Sequence, residues 1–591
     1  MCPFRFFRVL NLCSKQEPIC VKPTSLFQKI KKSITGRIAA LSSRDTKIFA
    51  ILAFILICGI IGTINEISNR ISVQVPAKGG VLREGMLGTP RFINPVLAVS
   101  DIDKDLSELV YSGLVRRVPN TENSGSIIIP DLAESYSISD DGKTYTFILK
   151  KDISFQDRKP VTATDVVFTI KTIQNNQFQS PIAANWVGIT AEVVDNQTVK
   201  ITLSRPYSGF LDAATVGILP EHIWGSFSPE EFFASKYNTF PIGTGPYKVT
   251  DVSRDKNGIA DTYIMSAFKK FSLGKPLISK IAIKLYPNEQ DLMRGYEAGD
   301  FDSLANIRPY EMNERNTKYR ITQVMPRMFG LFLNTEKNEL FKDTTVRSII
   351  EKSINPTEII QNVFQGYAEP INHPLSEITK DTQKNTIPKN ELVRQLENAG
   401  WKLNPATGIR EKSGKQLSFT ISTADTAELK YTAQIIQKQL QDFGIGTELQ
   451  VFQLNDLENS VIKKRSFDAL LFGQFIRNDA DLYAFWHSSQ KDPGGLNITG
   501  YSNKNLDTLI EKLFTTIDST PRTSLLHEIK KELETAPVIW IYQPDFIYAL
   551  RRPIYGINLA NLISKHDRFA TIYQWYLQTD TVWKLFNKKT D

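Results

Sequence analysis

At 591 residues the chain exceeds what one hydrophobic core ordinarily serves, so two or more lobes are expected. An apolar fraction of 41% with 10% aromatics excludes a chain dominated by low-complexity disorder. Residues 1–47 hold ten basic and two acidic side chains and so carry the whole formal charge of +8; the balanced remainder lacks the general basic bias of a nucleic-acid binder.

The basic segment runs directly into Ile48–Ile64, seventeen residues without a charge. As a helix this run spans roughly 26 Å, close to a hydrocarbon core of about 30 Å. Lysine and arginine concentrated before the span place the N-terminus inside and residues 65–591 outside. No small-x-small cleavage site follows, and Cys58 is preceded by Ile57 where a lipoprotein cysteine needs a small residue, so an uncleaved signal anchor is expected. Cys2, Cys13 and Cys20 lie in the basic tail and Cys58 in the apolar run. The outer part therefore has no disulfide, no thiolate nucleophile and no cysteine-based metal site.

Residues 65–78 read as a short linker, after which strand and helix patterns intermingle. Tyr136 and Ile138 alternate with polar residues, Asp140-Asp141-Gly142 supplies a turn, and Tyr145, Phe147 and Leu149 alternate again, which predicts a hairpin. Thr162 to Asp165 has the form of a capping box, and Val166, Ile170 and Ile173 follow at helical spacing. A second hairpin is expected at 193–203, turning at Asp195-Asn196. Ile281, Ile283 and Leu285 predict a strand, and the helix after it should end at Gly299. In the second half, a strand at Leu417–Ser422, a helix carrying Leu429, Ile436, Leu440 and Phe443, and a strand at Thr447–Phe452 predict a βαβ unit with parallel strands. Gly400-Trp401 closes the helix before it.

The order of short motifs resembles the peptide/nickel-type solute-binding proteins, family five, of ABC importers. Gly79 to Gly85 and Phe92-Ile93-Asn94-Pro95 open the match. Asp131 to Tyr136, Ser139 to Phe147 and Val161 to Phe168 form its most specific stretch. Leu219 to Ile223, Pro241 to Tyr247, Ala298 to Asp302, Phe341 to Asp343, Ala399 to Trp401 and Phe467 to Ala469 continue it. Each motif is weak alone; their order across about residues 79–550 carries the resemblance.

That resemblance implies an α/β, two-lobed, periplasmic-binding-protein-like fold (type II, peptide-binding cluster) with a discontinuous first lobe, here preceded by one transmembrane helix. The expected division is a cytoplasmic tail (1–47), anchor (48–64), linker (65–78), first lobe (79–330, with a subdomain at about 116–240), second lobe (331–544) and a return to the first lobe (545–591). Crossing strands are expected near Phe329–Asn334 and Phe546–Tyr555. The family's role implies capture of a peptide or similar small solute for a membrane permease powered by an ATPase; a surface sensor with the same fold is the alternative. This chain has no GxxxxGK[ST] loop, so ATP belongs to a partner.

In peptide binders of this family, strand-like main-chain pairing and a carboxylate for the ligand's amine supply recognition. The matching segment runs from Gly473 to Leu482, with Gln474 where the family has tryptophan. Candidate contacts are Gln474, Asn478, Asp479 and Asp481, with Tyr367 and Trp486 beside them. Asp481 is alternatively the cap of the next helix, Trp486 a core residue, and Tyr367 a loop-packing residue. Gly243-Thr244-Gly245 reads as a structural turn and not as a phosphate loop. The five histidines are dispersed without HExxH, and no GxSxG occurs; no enzyme activity, metal or cofactor is expected.

Overall fold

A computed structural model describes residues 42–583 except 121–125, 312–317, 376–387, 477–478 and 517–518. Residues 76–578 form one compact unit, and the flanking segments belong to a second, small unit. The small unit holds helix α1 (Ser43–Ile71), capped where Ser42 Oγ accepts the Asp45 N–H at 3.3 Å. Its stretch 43–68 is long and apolar enough to cross a membrane, and residues such as Phe54 and Leu56 are about two-thirds exposed. The segment read as a linker instead continues this helix and then forms strand β1 (Ser72–Ala77), paired with the late strand Gln578–Trp583. A partner some five hundred residues away leaves no local sign in the sequence.

The large unit begins with β2 (Val81–Leu87), followed by α2 (Asp101–Val110), β3 (Val115–Pro119) and β4 (Ser126–Pro130). The predicted hairpin is β5 (Ala133–Ile138) with β6 (Thr144–Leu149), in register at Tyr136↔Phe147. Helix α3 (Ala163–Gln174) starts where Asp165 Oδ2 accepts the Thr162 N–H at 2.8 Å. The second hairpin, β7 (Ile189–Val193) and β8 (Thr198–Leu203), completes a separate antiparallel sheet of order β5-β6-β8-β7. Tyr145, Phe147, Val199 and Ile201 are buried at alternate positions of β6 and β8, as one covered sheet face requires.

Strands β9 (Tyr247–Arg254), β10 (Ala260–Ala267) and β11 (Lys280–Tyr286) form a meander that joins β2 in parallel. Helix α4 (Glu289–Ala298) ends at Gly299, whose φ of 82° suits a residue without Cβ. Short β12 (Ser303–Ala305) then lies on the other side of β2. The chain continues through β13 (Tyr319–Val324) and β14 (Arg327–Leu333), α5 (Thr344–Ser353), α6 (Pro356–Phe364), β15 (Ala368–Pro370) and α7 (Lys389–Asn398). The predicted βαβ unit is β16 (Ser418–Ala424), α8 (Ala427–Gln441) and β17 (Gly446–Phe452), with parallel register Ser418↔Gly446. It is followed by β18 (Ala469–Phe475), α9 (Asp479–Trp486), α10 (Lys504–Thr515), α11 (Ser519–Leu533), β19 (Val538–Leu550) and, as the partner of β1, β20 (Gln578–Trp583).

These strands form one twelve-stranded mixed sheet, ordered β17-β16-β18-β14-β19-β12-β2-β11-β10-β9, with β13 and β15 also on β19. Two hydrophobic cores flank its middle. One draws on Leu82 through Leu285 and closes with Phe546 to Trp575; the other runs from Met328 to Tyr542. Strand β19 serves both. Its first half pairs with β14 (Phe329↔Tyr542) and its second with β13 (Val324↔Asp545). The pairing passes from β14 to β13 at Met325–Arg327 and Gln543–Asp545, where Pro326 lies between β13 and β14 and Pro544 lies within β19. Proline lacks an N–H for the ladder, so regular pairing breaks there. Gln543, 3% exposed, donates its side-chain amide to the Met325 carbonyl across the break. Burial, reinforced by Glu369, pushes the Asp545 carboxyl up to about 6.

Candidate functional site

The larger cavity, about 420 Å³, is walled mainly by the first core's elements: α2, β3, the segment around Tyr207–Gly217 and the turn Ile563–Ala570. Asp481, on α9, is the wall residue contributed from the second-core region. The cavity is therefore bordered by residues from both core regions.

The end of α2, next to the cavity-lining Tyr111, is held by close backbone packing. Gly243 and Gly245 lie against the Val110 main chain, and a Cβ at either would collide with it. The Gly245 N–H donates to the Val110 carbonyl at 2.7 Å, and Thr244 Oγ1 accepts the Ser112 N–H at 3.2 Å. The Gly-Thr-Gly segment is thus a packing turn that seats the end of α2. Beside it, Ser107 and Tyr111 line the cavity at 7% and 2% exposure. Their hydroxyls have no hydrogen-bond partner among the described residues, and burial pushes the Tyr111 phenol up. Buried hydroxyls of this kind normally find a partner, and both of these border the cavity.

Charge around the cavity is largely paired. Arg116 donates Nε to Asp131 Oδ2 at 2.7 Å and also bonds Glu108. Burial alone lowers the Arg116 guanidinium, but the two carboxylates outweigh it and hold it above its ordinary value. Burial raises the Glu108 carboxyl, with Arg116 opposing the shift. Arg117 pairs with Asp212, and Asp567 Oδ2 accepts the Ser564 N–H at 2.7 Å. Among the described residues most charges of the wall are thus paired, and the half-buried Asp481 of α9 borders the same cavity.

The other candidates are dispersed. Asp479 opens α9, and Asn478 lies outside the described residues. Gln474, 4% exposed, sits in β18 opposite Met328, its Oε1 without a partner among the described residues. Trp486 is 1% exposed in the second core, its ring centroid 6.4 Å from that of Trp540. Tyr367 packs beside the small cluster of Leu292, Tyr296 and Phe301, under the Arg320 guanidinium at 5.7 Å. Of the six, Asp481 lines the larger cavity. The sequence analysis did not single out Ser107, Glu108, Tyr111, Arg116 and Arg117, which line the cavity and belong to no motif recognised there.

At the cavity's edge Tyr207 stacks on Phe514, with centroids 5.5 Å apart, and the Ser208 N–H donates to the Phe514 carbonyl at 3.1 Å. Arg522 Nη1 donates to Ser208 Oγ at 3.3 Å. These contacts join the first-lobe rim to α10 and α11, so the two lobes touch beyond the crossing strands.

The profile of bacterial extracellular solute-binding proteins, family 5 (middle region), matches residues 128–495. The oligopeptide-binding protein AppA of Bacillus subtilis is 26% identical over 525 residues, covering 86% of this chain and 94% of that protein. Among solved structures, NikZ of Campylobacter jejuni in complex with Ni(L-His) is similar at TM-score 0.65 and 26% identity, over 84% of this chain and 99% of that one. Bacillus subtilis AppA in complex with a nonapeptide is similar at TM-score 0.63 and 24% identity, over 85% and 100%. Family 5 consists of binding proteins, and the profile match takes in parts of both cores together with β13 and β14. The chain belongs to the bacterial extracellular solute-binding proteins, family 5.

Proposed function

We propose that this protein is a membrane-anchored receptor that captures a short peptide, or a similar small solute bearing an amine, between its lobes and passes it to an ABC permease driven by a cytoplasmic ATPase. It acts by binding and release, without chemical turnover. The cavity carries this reading: Asp481 from the second lobe borders it together with paired charges of the first lobe and hydroxyls that have no partner among the described residues. A carboxylate in a water-poor cleft suits an ammonium group, and hydroxyl donors suit main-chain carbonyls. The names of the relatives, an oligopeptide-binding protein and a structure holding a nonapeptide, agree with that chemistry. Helix α1 serves as an uncleaved anchor, with the basic residues 1–47 inside and the binding unit outside.

The test is a thermal unfolding series on the full chain in detergent with pooled peptides. A peptide at one hundred times its Kd stabilises the native state by about 2.7 kcal/mol. A dose-dependent rise in Tm is expected for part of the pool. An unchanged Tm across a pool of diverse lengths and sequences excludes the peptide reading.

A further inference from the structure

The chain has seven tryptophans, and six of them are no more than 4% exposed. The seventh, Trp583, is 47% exposed at the end of β20. A large aromatic surface left in water has no stabilising role, whereas an amphipathic indole at a membrane–water boundary does.

Its neighbours locate that boundary. Trp583 Nε1 donates to Ser68 Oγ on α1 at 3.3 Å, and Gln74 Nε2 of β1 donates to Thr581 Oγ1 of β20 at 3.0 Å. The uncharged run of α1 ends at Ile64, four residues before Ser68, which places Ser68 about 6 Å further along the helix. The headgroup layer on each side of the hydrocarbon is about 5–7 Å deep. Arg70 and Glu66, paired at 3.0 Å and well exposed, mark the same level as polar.

We propose that the ribbon of β1 and β20 is a lipid-contact site, with the Trp583 indole seated among the headgroups of the bilayer that α1 crosses. The partner is a phospholipid surface, and the contact continues the surface of the membrane helix. The ribbon then fixes the end of the binding unit's chain at the membrane by non-covalent means. This rests on the reading of α1 as an anchor.

The test uses the full chain in nanodiscs of phosphatidylcholine, with or without bromine near the headgroup end of the acyl chains. The Trp583 emission is the difference between the parent and Trp583→Phe. The brominated lipid is expected to quench that component about twofold and leave the six buried tryptophans unaffected. Equal quenching of parent and variant overturns the inference. Protection of Trp583 from both brominated lipid and aqueous iodide places a protein partner there and also overturns it. Alkaline carbonate extraction separates the two readings. If the full chain is released from membranes, the anchor reading fails and the lipid contact with it; if it is retained while quenching is equal, the lipid contact alone fails. Trp583 is exposed at a strand end, so its replacement leaves both cores intact.

Discussion

Replacing Arg568 by methionine is expected to destabilise the protein by about 3–5 kcal/mol, the cost of stripping a buried ion cluster of its counter-charge. Arg568 is 1% exposed and holds two carboxylates from distant parts of the chain. It donates to Asp105 at 2.7 and 2.8 Å and to Glu84 Oε1 at 2.9 and 3.1 Å. The second Glu84 oxygen accepts the Tyr548 hydroxyl at 2.6 Å and the Ser303 hydroxyl at 3.2 Å. The cluster thus ties β2, α2, β12, the crossing strand β19 and the late turn Lys565–Phe569 together. Methionine keeps the apolar stem but leaves two buried carboxylates facing each other.

The sign of the pH effect follows from Glu84. Burial already raises its carboxyl in the native state, opposed by Arg568. Without Arg568 the native carboxyl rises further above its unfolded value. A raised native pKa gives stability that is present at low pH and lost as pH climbs through it. The variant's deficit is therefore larger at pH 8 than at pH 5. Urea unfolding of the full chain in detergent at both pH values measures this. A deficit below about 1 kcal/mol, the range of exposed pairs, contradicts the cluster's role.

The second large effect concerns affinity. Asp481→Asn is expected to weaken free-amine peptides by about tenfold to a hundredfold, since a hydrogen bond to a charged group contributes about 1.5–3 kcal/mol. Peptides acetylated at the amine should bind parent and variant alike. Asp481 lies inside the first turn of α9 and not at its cap; if it only complements the helix N-terminus there, the variant melts lower but loses no preference for the free amine. Calorimetric titration with matched free and acetylated peptides distinguishes the two outcomes.

Much of the scaffold is legible in the sequence where a pattern is local. The β5–β6 hairpin shows because one face is buried and period-two alternation survives the turn at Asp140-Asp141-Gly142. The β16–α8–β17 unit shows through the change of period between strand and helix. The crossing of β19 is harder to place. Val538–Leu550 is apolar almost throughout because it is covered in both lobes, so periodicity cannot mark where it changes partners. Pro544 alone punctuates it. The β1–β20 ribbon is invisible for a different reason, since its two strands meet only across the whole length of the binding unit.

The site divides the same way. The acidic segment holding Asp481 was reached through motif order. The opposite wall was not, because Arg116 acquires its setting from Glu108 on α2 and Asp131 beyond β4. Neither acid stands at a spacing that announces an ion pair. Nor does any pattern reveal that the Ser107 and Tyr111 hydroxyls border a cavity.

The most direct test is single-molecule energy transfer between dyes on the two lobes, at Glu192→Cys and Lys491→Cys, both exposed. The full chain carries serine in place of its four native cysteines and is held in detergent with pooled free-amine peptides. Capture between the lobes predicts that peptide gathers the molecules into one population of higher transfer efficiency, reversed when peptide is washed out. A distribution unchanged by saturating peptide contradicts closure around a solute.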